Sequence, residues 1–132
     1  MQEGRETEIR KRFESMKETW AEHENNIKDV IKAICNNHVI DYVEDVPFKG
    51  KPDNTIQICN EFIIFDAKSP ASDNLDNFQN YIKVQTESVK KYIQQENVKK
   101  DIFLVIPSNT VAVIKRFTYN MGDYNVFIIT AD

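Results

Sequence analysis

Between Pro52 and Lys68 the chain reads PDNTIQICNEFIIFDAK, and this stretch leaves the backbone little choice. TIQI, a break at Cys59-Asn60-Glu61 and then FIIF make two β-rich runs joined by a turn, the pattern of a tight hairpin. With Cys59-Asn60 as the two-residue loop, position 58 pairs with 61 and 57 with 62, and the ladder brings Asp53 opposite Asp66. A loop centred one residue later pairs Asp53 with Lys68 instead. Because side chains alternate along a strand, either register gathers Asp53, Asp66 and Lys68 on one face, with Ala67 pointing away. The FIIF run is continuously apolar and predicts a strand buried on both faces. Charged residues follow at its end.

Carboxylates placed directly across an antiparallel pair repel one another. A divalent cation relieves that repulsion and is held by it. Mg²⁺ takes oxygen ligands, usually one or two carboxylates completed by waters and phosphate oxygens. The competing reading is an exposed Asp–Lys salt bridge on a surface hairpin, which contributes little.

The rest of the chain supplies helices and further strands. Ile9, Phe13, Met16, Trp20, His23, Ile27, Val30 and Ile34 recur at alternating spacings of four and three, with no Pro between Gln2 and Asn36 and no Gly after Gly4. This heptad predicts one helix about 50 Å long at 1.5 Å per residue. Residues 1–24 form its projecting half, which dimerises through Phe13, Met16 and Trp20, and residues 25–132 form the domain. His23 reads as a polar core position of the coiled coil. After the helix, VIDYV (39–43) alternates like a first strand, and Pro47, Gly50 and Pro52 break the chain beside Lys49 and Lys51, which read as a solvated loop or, functionally, as phosphate contacts beside the metal. Ser69-Pro70 stops the hairpin strand, and a helix runs to about Gln95. Its stripe of Leu75, Phe78, Ile82, Val89, Tyr92 and Ile93 passes through Gln85, which puts an amide on the inward face. DIFLVIP (101–107) is a buried, parallel strand, NTVAVIKRF a short helix, TYNMGDYN a loop, and VFII (126–129) another buried strand.

Pro52-Asp53, a strand, and then Asp66-Ala67-Lys68 at the end of the next strand resemble the signature of the PD-(D/E)XK nuclease superfamily, whose core runs helix, three strands, helix, strand. The heptad helix and the Ile-Pro after the fourth strand resemble RmuC-type DNA recombination proteins over about 54–107, with DAK here where that family has DSK. The resemblance implies an α/β fold, a restriction-endonuclease-like mixed sheet flanked by helices, with the long heptad helix in front. It implies a metal-dependent nuclease hydrolysing phosphodiester bonds in DNA. Asp53 and Asp66, with the backbone carbonyl of Ala67, would hold Mg²⁺ or Mn²⁺, and Lys68 would orient the attacking water. Glu24 is the candidate first-helix acid, and Gln85 the polar residue of the second helix directed at the acids.

The 132 residues fit one domain. Cys35 and Cys59 have no zinc-like spacing and are expected to be reduced in a cytoplasmic protein. The start MQEGRETEIRKR is charged where a signal peptide is apolar, and no membrane partner is expected. A net charge of -4 weighs against a sequence-independent nucleic-acid binder and favours the alternative, an inactive nuclease-fold scaffold linked by a coiled coil.

Overall fold

Cys59 and Asn60 both adopt left-handed backbone, φ 53° and 68°, as a two-residue type I′ turn requires. That turn sets the register between β2 (Asn54–Ile58) and β3 (Glu61–Ala67), from Ile58 opposite Glu61 to Asn54 opposite Phe65. The computed structural model describes residues 20–70 and 75–131. Within them a six-stranded mixed sheet is built around this hairpin, together with three α-helices. The order is β1-β2-β3-β4-β6-β5, where β1 is Asp41–Tyr42, β4 Val98–Val105, β5 Thr118–Asn120 and β6 Asn125–Ile129.

The parallel pairs β3·β4 and β4·β6 form the centre, and antiparallel pairs form both flanks. Between β3 and β4 the chain crosses over through α2 (Phe78–Ser88) and α3 (Lys90–Ile93). Their apolar stripe packs Phe78, Ile82, Val89 and Tyr92 onto Phe62, Ile64, Ile102, Leu104, Val126 and Ile128 to make the main core. The other side is crossed by α1 (His23–His38), which contacts β1, β2 and β3. Ile27, Cys35 and Ile56 are buried there, outside the main cluster. Phe65, Phe103 and Phe127 sit side by side across β3, β4 and β6, with stacked rings 4.9 and 5.5 Å apart, and are half-buried. The FIIF strand is therefore buried on one face and half-covered on the other, because α1 reaches only part of that side.

Several boundaries differ from the sequence reading. Val39 does not begin a strand. It caps α1 in the left-handed conformation, φ 54°, while Ile40 N–H returns to the Cys35 carbonyl, so β1 shrinks to two residues. The second helix breaks at Val89 into α2 and α3. The expected helix after β4 is the 3₁₀ segment Ser108–Val113. The expected loop contains β5, anchored by buried Tyr119 and closed on β6 by a turn in which Asn120 accepts the Gly122 N–H. The heptad before Trp20 lies outside the described residues. Trp20 and His23, however, are buried within this domain: Trp20 Nε1–H donates to Asn109 Oδ1 at 3.0 Å, and His23 Nε2 lies 2.8 Å from the Val105 carbonyl. Among the described residues, no helix is long and apolar enough to cross a membrane.

Candidate functional site

One step beyond the last ladder pair, Asn54 opposite Phe65, the hairpin brings Asp53 and Asp66 together. They are bonded reciprocally. The Asp53 N–H donates to Asp66 Oδ1 at 2.9 Å, and the Ala67 N–H donates to Asp53 Oδ2 at 3.0 Å. Each carboxylate thus satisfies an amide at the frayed end of the opposite strand, where the ladder has stopped supplying acceptors. Of the two registers open in the sequence, the one opposing the two acids is adopted. Lys68 Nζ stands 3.8 Å from Asp66 Oδ2, and the Lys68 N–H donates to the Val105 carbonyl, which fixes the end of β3 against β4. His23 approaches that same carbonyl, so α1 is pinned at the mouth of the site.

Asp66 is 4% exposed, and burial pushes its carboxyl above the usual range, against the pull of the Asp53 amide and of Lys68 and Lys91. Asp53 is raised by burial and by the charge of Asp66, offset in part by the Ala67 amide. Glu24, in the first turn of α1, is raised first by the charge of Asp53 and then by burial. Glu24 thus stands beside Asp53, close enough for the charge of one to disfavour the charge of the other. Three acids and one lysine therefore meet at the end of a central strand, in surroundings that disfavour leaving all three acids charged and uncompensated.

Residues that the sequence reading did not assign to the site also stand here. Tyr92 of α3 is buried and its hydroxyl is pushed up to about 12, by burial first and then by the charges of Asp66 and Asp53. Its ring packs so closely under Gly50 that a Cβ there would lie 3.1 Å from the ring. Gly50 also has φ +110°, so this crossing of loop over ring needs glycine on both counts. Lys28 follows Glu24 by four residues, hence on the same face of α1, and a cavity of about 520 Å³ opens beside Asp53, lined by Glu24, Lys28, Tyr42 and the loop up to Lys51 and Pro52. The i, i+4 spacing of Glu24 and Lys28 was visible in the sequence. The approach of Tyr92 was not, because its position follows from the break at Val89.

Gln85 is half-buried on α2, and the fully buried step between Ile82 and Val89 is Thr86, 1% exposed. The two positions straddle the inward stripe, and periodicity does not separate them. Chemistry does: Thr86 Oγ1 returns its proton to the Lys83 carbonyl at 2.6 Å, so it needs no partner beyond its own helix. Of the two lysines expected at phosphate, Lys51 lines the cavity with Asp53, whereas Lys49 lines a separate one with Pro47 and Gln95.

Among the described residues, no three acidic, histidine or cysteine side chains form a ready-made metal cage. Mg²⁺ does not need one, since it keeps several waters and is often bound through one or two carboxylates. No family model, no curated protein and no solved structure matches this chain.

Proposed function

We propose that this chain is a metal-dependent phosphodiesterase of the PD-(D/E)XK type, acting on DNA. The observation that carries the reading is the reciprocal bonding of Asp53 and Asp66 with Lys68 beside them, three chemically matched groups at the end of a central strand. The order of helix, three strands, crossover helices and parallel strand supports it, since that is the superfamily's core order. The donor set fits a hard divalent cation: oxygen ligands only, two carboxyls held side by side by reciprocal bonds, and a third acid beside one of them.

Asp53 and Asp66, with the Ala67 backbone, are the groups that would hold Mg²⁺ or Mn²⁺. When bound, such an ion polarises the phosphate and lowers the pKa of a coordinated water. Lys68 presents its ammonium beside Asp66, where it can donate to a phosphate oxygen and stabilise charge that develops there. Glu24 adds a third carboxyl next to Asp53. Gln85 keeps a proposed supporting role on α2, to be compared with Tyr92. A homodimer through the segment before Trp20 belongs to the same proposal.

A non-catalytic scaffold on this fold is the second reading, and the net charge of -4 favours it. The two separate in one assay. The purified chain is incubated with plasmid, linear duplex and single-stranded DNA in Mn²⁺, in Mg²⁺ and in EDTA. The nuclease reading expects cleavage of at least one substrate in Mn²⁺, none in EDTA, and loss by at least a hundredfold in Lys68→Ala. Intact DNA in every metal, or cleavage unaffected by Lys68→Ala, rejects it.

A further inference from the structure

The cavity beside the acids has a shape and a lining that the metal reading does not use. Glu24 and Asp53 line it and also belong to the acid cluster, so the cavity opens directly beside that cluster. Beyond them it is walled by Val43, Val46 and Phe48 from the loop after β1 and by Tyr42. Tyr42 is held: its hydroxyl donates to Asn54 Oδ1 at 2.7 Å, and Lys32 Nζ lies 5.2 Å from its ring centroid. Lys32 also pairs with Glu44 at 2.7 Å, which compensates one of the lining acids. Lys28 and Lys51 are the cations at the wall.

Resting on the metal-dependent reading of the acids, we propose that this cavity receives one unstacked nucleotide of a single strand or strand end, with its phosphate at Asp53 and Asp66 and its base against Val43, Val46 and Phe48. The volume, about 520 Å³, lies in the range of small-molecule pockets and is sized for one nucleoside rather than a stacked duplex step. Aromatic side chains beside a phosphate-binding wall are the general means of holding an unstacked base without reading its sequence. A phosphate brought alone to this wall meets Glu24, Asp53 and Asp45. Entry of the nucleotide therefore depends on a divalent cation, with Lys28 and Lys51 adding attraction. A base buried in the cavity has to leave its stack first, which a strand end or a single strand permits at least cost.

The test is a calorimetric series on the full chain with Mn²⁺ as the probe metal: inorganic phosphate, then 2-deoxyribose 5-phosphate, then deoxyadenosine 5′-monophosphate. Affinity is expected to rise along the series, with at least a tenfold gain when the base is added and little binding of any member in EDTA. Val46→Trp fills the wall and is expected to remove that gain while Mn²⁺ uptake stays as in wild type. Equal affinity for all three ligands overturns the proposal, as does a gain that survives Val46→Trp in a variant that melts normally. If Val46→Trp does not fold, the wild-type series decides alone. Mn²⁺ bound without any gain from the base rejects the pocket and leaves the metal site standing, whereas no Mn²⁺ uptake rejects both.

Discussion

Asp53 and Asp66 each accept or donate across the end of the hairpin: the Asp53 amide is bonded to the Asp66 carboxylate at 2.9 Å, and the Asp53 carboxylate is bonded to the amide after Asp66 at 3.0 Å. The bonds orient both groups, yet they leave two acids in contact in a buried place. Orientation is obtained at the expense of electrostatic stability, and the consequences are measurable.

The first consequence is a pH dependence with a definite sign. Glu24, Asp53 and Asp66 are all raised above their ordinary values of 4.5, 3.8 and 3.8. A folded state that holds protons more tightly than the unfolded state loses stability as pH rises from those ordinary values through the raised ones. The metal-free protein should therefore lose Tm as pH is raised from about 4 towards 8. Asp66→Asn, which keeps an acceptor for the Asp53 amide but has no charge, should lose less and melt higher than wild type at the upper pH. Scanning calorimetry in EDTA across that range checks both statements; a lower Tm for Asp66→Asn at pH 8 would show that the Lys68 pairing outweighs the burial.

The register of the acids depends on a turn whose residues are not the best available. Cys59 and Asn60 both have positive φ, and only glycine takes that region without cost. Replacing the pair by Asn-Gly should raise stability by about 1 kcal/mol in urea unfolding. The hairpin should be unchanged, so metal affinity should stay within a factor of two. A loss of stability would mean that the exposed Cys59 has a contact worth more than the strain.

Trp20 is the single tryptophan and is 5% exposed, with its indole N–H on Asn109. Its emission should be that of a buried indole, and should not shift on dilution from tens of micromolar to below one. Trp20→Ala should cost about 3–5 kcal/mol, as for other large core truncations. A red shift on dilution would assign the burial to a dimer interface in place of the domain's own surface.

Tyr92 and Gln85 make opposite claims on the same supporting role. Tyr92→Phe removes only a hydroxyl and should keep stability within about 1 kcal/mol, while it lowers Mn²⁺-dependent cleavage, because the hydroxyl lies in the field of Asp53 and Asp66. Gln85→Ala should also keep stability within about 1 kcal/mol and should lower the rate less than Tyr92→Phe. Single-turnover cleavage rates of the two variants rank them; a larger loss in Gln85→Ala returns the role to the glutamine.

The hairpin, and the gathering of Asp53, Asp66 and Lys68 on one face, were legible because they depend on neighbours in sequence; the opposition of the two acids was one of two registers, and the left-handed pair Cys59-Asn60 selects it. Glu24 was within reach of the same reasoning, one turn before a buried Ile27. What escaped depends on tertiary contact. Val39 alternates like a strand residue but caps a helix in the left-handed conformation while 96% exposed. β5 carries one buried side chain, Tyr119, in a segment whose Asn, Gly and Asp read as a loop, and pairing with β6 makes it a strand. Trp20 and His23 fit a heptad seam as well as they fit the end of a sheet, and their partners Asn109 and Val105 are far along the chain.

The central claim is that Asp53 and Asp66 form a cation site, and thermal melting with and without Mn²⁺, on wild type and Asp66→Asn side by side, tests it most directly. A ligand that binds only the folded state stabilises it by about 2.7 kcal/mol at a hundredfold excess over Kd. Wild type is expected to melt several degrees higher with Mn²⁺, and Asp66→Asn not to respond. Identical melting of both proteins with and without Mn²⁺, or an equal rise in both, would contradict the account.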